Sequence, residues 1–184
     1  RLWLRADAGV TASANGAVTA WADQSGSNNN AVQAAESKAP TLVPNALNGK
    51  PVLRFDGAHD FLNVAHSESL AITRDISSFF VVKFDDFATF RAVWGKTAGP
   101  AGNLPAPTDY YTVPTTGVPR LYRGNGTSTS LGSVDATKGL TAATYLVVGF
   151  AQQGTRLTHY LADQANGSGQ IVSGSFMDYA MPRA

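Results

Sequence analysis

Trp21-Ala22-Asp23-Gln24-Ser25-Gly26-Ser27-Asn28-Asn29-Asn30-Ala31 and, after a spacer, Asn48-Gly49-Lys50-Pro51-Val52-Leu53-Arg54-Phe55-Asp56-Gly57-Ala58-His59-Asp60-Phe61 decide the fold class. Ser-Gly, Asn-Gly and Asp-Gly pairs are turn chemistry, because Gly and Asn accept positive φ angles that other residues resist. Between the turns runs a strand, Val52–Phe55, with Leu53 and Phe55 on one face and Arg54 between them. The block therefore predicts a β protein whose turns concentrate carboxylates and amides.

Working outward, the pattern repeats. Leu2-Trp3-Leu4 is predicted as a short strand, Ala6–Gly9 as a turn and Ala17–Trp21 as the next strand. Pro40 and Pro44 argue against helix in the spacer. Leu62–Val64 continues the β pattern, and Ser67–Ile72 is expected to form one helical turn with Ser67 as its cap. Ser77–Phe84 is a strong strand; Phe80, Val82 and Phe84 share one face while Phe79 and Val81 take the other. An apolar run of that kind is expected to be buried on both sides near a sheet centre. Phe90–Trp94, Tyr110–Val113, Pro119–Arg123, Thr144–Phe150, Thr155–Ala162 and Gln170–Val172 complete the predicted strands. Turns are expected at Gly124–Gly126, Gln152–Gly154 and Asn166-Gly167. Eight or more short strands separated by turns imply a two-sheet sandwich.

The composition narrows the function classes. Charged residues make up 15% of the chain and the formal net charge is +1, so nothing favours nucleic acid or an anionic membrane. The longest apolar runs are too short to span a bilayer. Cysteine is absent, which removes disulfides, thiolate metal sites and a cysteine nucleophile. The chain opens on Arg1 rather than Met, as expected of a processed product or a piece of a longer protein.

The motifs Leu2-Trp3-Leu4 with Ala6-Asp7-Ala8-Gly9-Val10, Trp21–Gly26 with its Asn tail, Pro40-Thr41-Leu42, Asn48–Pro51 and Phe55-Asp56-Gly57 leading to Asp60-Phe61-Leu62 cover the first third of the chain. Together they resemble the laminin-G-like, concanavalin A-like jelly-roll domains of large bacterial extracellular proteins. The resemblance implies an all-β jelly-roll sandwich of two antiparallel sheets forming a single domain over 1–184. Such domains usually close with a glycine-bearing strand, an acidic strand and a short helix. This sequence stops at Met181-Pro182-Arg183-Ala184, about where that section begins. The expectation is a fragment of a longer protein, with strand exchange or assembly with another chain through the open end as the alternative.

Chemistry is then weighed residue by residue. Glycoside hydrolysis needs a carboxylate pair at fixed separation; Glu36 and Glu68 have no acidic partner at strand spacing, and Asp85-Asp86 would point to opposite faces. His159 and Tyr160 also lie on opposite faces. His59, His66 and His159 lack metal-ligand spacing, and each is read as a surface or half-buried strand histidine. No strand-to-helix nucleophile elbow occurs. An enzyme is not expected. Calcium takes hard oxygen ligands at turns, and the resemblance implies that it is common in such domains. Its candidate ligands are Asp23, Asn28, Asn30, Asp56 and Asp60, if the two turns converge. The preferred reading is that Asp23 and Asp56 cap their turns by side-chain to backbone hydrogen bonds. Glycan binding uses exposed aromatic rings flanked by planar polar groups. Tyr110, Tyr111, Tyr122, Arg123 and Asn125 are the best such cluster and Trp94 a second candidate, whereas Trp3 and Trp21 are expected in the core.

The resulting expectation is a noncatalytic, lectin-like module of a secreted or surface-anchored bacterial protein, binding carbohydrate or another surface ligand, for example in cell adhesion. One alternative is a structural subunit of an extracellular filament, surface layer or virion fibre. Another is a polysaccharide-active enzyme whose catalytic residues lie outside this segment.

Overall fold

The computed structural model describes residues 1–72, 75–96, 108–124, 131–154, 156–163 and 170–175. The chain is all-β, with antiparallel pairing throughout the described residues and two single-turn 3-10 helices at Glu36–Lys38 and Glu68–Leu70. No helix among them is long and apolar enough to cross a membrane. Contacts gather into two compact units, Arg1–Leu70 and Ala71–Ala184.

The first unit holds β1 (Val10–Ala12), β2 (Val18–Trp21), β3 (Ala31–Val32), β4 (Thr41–Leu47), β5 (Lys50–Arg54) and β6 (Asn63–Val64). One sheet runs in the order β1-β2-β3-β6; β4 and β5 form a separate hairpin. That hairpin turns on Asn48 and Gly49, both at positive φ (49° and 74°), between the paired residues Leu47 and Lys50. A two-residue loop with both residues left-handed matches the twist of the flanking strands. The predicted strand at Leu2–Leu4 does not form. Its backbone is instead held by the turn at 23–24: the Trp3 amide donates to Asp23 Oδ1, and the Gln24 amide donates to the Trp3 carbonyl. Trp3 is 54% exposed rather than in the core. Trp21 is partly buried, its indole N–H donating to the Arg5 carbonyl at 2.7 Å.

The second unit holds β7 (Ile76–Lys83), β8 (Arg91–Lys96), β9 (Thr108–Thr112), β10 (Pro119–Gly124), β11 (Leu131–Asp135), β12 (Tyr145–Gln153), β13 (Arg156–Asp163) and β14 (Gln170–Ser175). These form two four-stranded sheets, β11-β10-β9-β8 and β14-β13-β12-β7. Alternation along the strands supplies each sheet with one apolar face. Tyr110 and Leu121 from the first sheet meet Ile76, Leu146, Val148, Phe150, Leu157 and Leu161 from the second in one core. The Tyr110 ring lies 4.9 Å from Phe150 and 5.9 Å from Phe80, and its hydroxyl donates to the Gly149 carbonyl across the interface at 3.3 Å. Two sheets packed through their inner faces are the arrangement of a β-sandwich.

The expected face of Leu146, Val148 and Phe150 is buried, as is the Leu157, His159 and Leu161 face. The reading of β7 as buried on both sides is corrected. It stands at the end of its sheet's described order, and Phe79 and Val81 are 58% and 63% exposed. Phe79 lies opposite Gly149, where a Cβ would collide with the Ser78 carbonyl oxygen and the Phe79 ring. The ring therefore lies over the outer side of the strand pair and reaches Tyr160 at 5.4 Å, without entering the core.

Candidate functional site

The metal candidates of the sequence lie on two carboxylate-rich turns. The Asp23 carboxylate accepts from the Trp3, Ser25 and Asn29 amides and from the Ser25 hydroxyl, at 2.8–3.0 Å. Burial works to raise its pKa, but these backbone donors outweigh that and bring it down to about 2. Asn30 Oδ1 accepts the Asp23 amide, and Asn28 holds a left-handed turn position at φ 57°. Asp56 Oδ1 accepts the Ala58, His59 and Asp60 amides, which hold its carboxyl well below the usual range. Asp60 Oδ2 in turn accepts from the Asp56 amide. So Asp23 is brought to Asn30, and Asp56 to Asp60, each pair closing its own turn. Among the described residues no group of three or more acidic or histidine side chains is placed to hold a metal ion.

Asn29, which the sequence did not single out, is the hub of the first turn. It is 4% exposed; its amide nitrogen donates to the Arg1 carbonyl and the Ser69 hydroxyl, and its oxygen accepts from Ser67. The Ser67 hydroxyl is thus directed to Asn29 rather than to a helix cap.

The aromatic candidates divide by strand alternation. Tyr110 (1% exposed) and Arg123 (0%) point between the sheets of the second unit and are withdrawn from any surface ligand. Arg123 donates to Gln152 Oε1 and, at 3.5 Å, to the Ile72 carbonyl. Trp94 also turns inward, stacking on Phe150 at 6.3 Å, with its indole nitrogen buried. Asn125 lies outside the described residues, as does the predicted Asn166-Gly167 turn. His159 is buried at 1% exposure rather than half-exposed. Its Nε2 sits 3.0 Å from the Val134 carbonyl oxygen, and burial pushes its pKa down.

Tyr111 and Tyr122 are on the opposite, outer face of the same sheet. Cross-strand register makes that face a small grid. One row runs Ala92, Tyr111, Arg120, Asp135; the next runs Gly95, Asp109, Tyr122, Ser133. Cross-strand pairs on one face stand about 5 Å apart and successive rows about 7 Å. Phe90, 61% exposed, meets the Tyr111 ring edge-on at 5.4 Å. Arg120 forks onto Asp135, Nε to Oδ1 at 2.5 Å and an amino group to Oδ2 at 2.7 Å. This bidentate bond raises the Arg120 pKa and lowers that of Asp135.

Asp109 differs from the other carboxylates. It is half-buried, no hydrogen bond to its carboxylate forms among the described residues, and burial alone pushes its pKa up. The Tyr122 pKa is raised by burial, then by Tyr111 and Asp109 beside it. A half-buried acceptor that no described donor reaches has hydrogen-bonding capacity left for a ligand. Flanked by two tyrosines, it is suited to polyhydroxylated matter, whose hydroxyls donate while its C–H faces pack on rings. Asp109, Arg120 and Asp135 were missed by sequence reading. The signal available was their fixed offset from Tyr111 and Tyr122 in alternating strands, once the pairing of β9, β10 and β11 is known.

No known family model matches this chain, and no curated protein or solved structure is significantly similar to it.

Proposed function

We propose that the chain is a noncatalytic carbohydrate-binding module of a concanavalin A-like jelly-roll type, working at the surface of a bacterial cell or outside it. The observation that carries the reading is the outer face of the β8–β11 sheet, where Tyr111, Tyr122 and Asp109, whose carboxylate no described donor reaches, share one solvent-facing grid. A rigid sheet presents the groups at fixed spacing, so little ordering is required on binding. The same grid argues against hydrolysis. Asp109 and Asp135 stand two strands and one row apart, with roughly 12 Å between their backbone positions by strand and row spacing, a wide setting for the carboxyl separations of about 5–9.5 Å that glycosidase pairs use. Asp135 is moreover tied to Arg120 and is no acid at neutral pH. The test is a glycan array and polysaccharide pull-down with the full chain, with and without calcium, beside Tyr122→Ala. Retention that falls at least tenfold in the variant supports the reading; no retention of any glycan in either condition overturns it.

A further inference from the structure

Resting on that reading, we infer that this face selects neutral glycans and rejects acidic ones, because the only cation among its described residues is neutralised internally while one carboxylate is left to face the ligand. Three charged side chains occupy the described grid: Asp109, Arg120 and Asp135. The Arg120 fork grips both Asp135 oxygens and the side chain also bonds Tyr111, so the pair contributes no net charge and Asp109 leaves the described face at −1. The other charged residues of these strands do not offset it. Lys96 pairs with Thr108, the position before Asp109, and so belongs to the opposite face of the sheet. Arg123 is buried inside, and Arg91 forks toward Asp86. The segments 97–107 and 125–130, which join the strands at the Asp109 end of the sheet, contain no ionisable residue in their sequence.

A uronate or sulfate ligand brought over Tyr122 therefore meets a half-buried carboxylate and, among the described residues, no free cation. Two like charges at about 7 Å near a protein surface repel enough to weaken binding on the order of tenfold. A neutral sugar suffers no such loss and offers the Asp109 carboxylate hydroxyl donors. The arrangement also predicts how the preference is reversed: breaking the Arg120–Asp135 fork releases a guanidinium onto the same face, where it binds carboxylates bidentately.

The experiment pairs neutral polymers with their acidic counterparts: glucan with polyglucuronate, galactan with polygalacturonate, mannan with polymannuronate. Each is immobilised and titrated with the full chain, with Asp109→Asn and with Asp135→Asn, all checked for native far-UV circular dichroism. The expected result is a neutral member bound at least tenfold more tightly than its uronate. That ratio narrows severalfold in Asp109→Asn and narrows or inverts in Asp135→Asn. Equal or tighter uronate binding by the unaltered chain overturns the charge selection while leaving glycan binding intact, as does a ratio unmoved in both variants. Binding of neither member of any pair overturns both.

Discussion

Phe150 and Phe79 are aromatic residues on neighbouring strands of one sheet, and the structure assigns them opposite fates. Phe150 is 0% exposed between the sheets, with Tyr110 and Trp94 rings at 4.9 and 6.3 Å. Truncating it to alanine removes a fully buried ring, about 1.5–3 kcal/mol of transfer free energy. It also leaves an enclosed cavity, which brings the usual cost of Phe→Ala to about 3–5 kcal/mol. Phe79, at 58% exposure on the outer side, has less than half of its surface to lose and leaves no enclosed cavity. Its alanine variant should cost about 1 kcal/mol or less, chiefly the Tyr160 ring contact. For a chain of this length the Phe150 loss corresponds to a fall of roughly 6–20 °C in melting temperature. Urea unfolding followed by tryptophan fluorescence and far-UV circular dichroism measures both variants, with coincident transitions as the check on two-state behaviour. Equal costs, or a larger cost at Phe79, would refute the assignment of inner and outer faces, and with it the side of the sheet on which any ligand is met.

Two further predictions concern titratable groups. His159 Nε2 carries the proton that reaches the Val134 carbonyl, its buried Nδ1 has no partner among the described residues, and protonation would place a second N–H there. The charged and titratable groups set near it are Asp135 on β11 and the Tyr110 ring stacked at 6.1 Å; Asp135 favours the charged form, yet burial dominates and the pKa is lowered from its ordinary 6.5. A lowered folded-state pKa gives stability that is complete above 6.5 and is lost as pH falls below it, by at most about 1.4 kcal/mol per pH unit. Urea midpoints at pH 7.5, 6.5 and 5.5 should decline for the unaltered chain and flatten in His159→Leu; parallel slopes would refute the assignment. Asp23→Ala removes the acceptor that joins Trp3, Ser25 and Asn29 and should cost about 1–2 kcal/mol. The accompanying proteolysis assay should show earlier cleavage near Arg1 and Arg5; an unchanged midpoint and cleavage pattern would show that the turn is held by something else.

The legible parts of the fold are those where local chemistry and burial agree. The inner faces of β12 and β13 could be read because Leu146, Val148, Phe150, Leu157 and Leu161 alternate with smaller or polar residues. The Asn48-Gly49 turn was legible because its φ angles demand those residues. The outer side of β7 was not: Phe79 and Val81 are apolar on an exposed face, and periodicity cannot distinguish that from burial. β11, with the sequence Leu-Gly-Ser-Val-Asp, carries too little apolar signal to be seen without its partner. The candidate site failed for the same reason in reverse. Tyr110 and Tyr111 are adjacent, so one of them had to point inward, and only the sheet pairing says which. Arg123 looked like a surface cation and is a fully buried one, held by Gln152 twenty-nine residues away. Asp23 and Asp56 accept the backbone amides of their own turns, while the carboxylate that no described donor reaches, Asp109, lies in a strand with no motif around it.

The most direct test of the central claim is ring-resolved NMR of the chain with labelled tyrosines, titrated with the neutral oligosaccharide it retains best. Shifts are expected at the Tyr111 and Tyr122 rings, with Tyr110, Tyr145 and Tyr160 silent. Shifts confined to Tyr145 and Tyr160, or no tyrosine shift at saturating ligand, would contradict that claim.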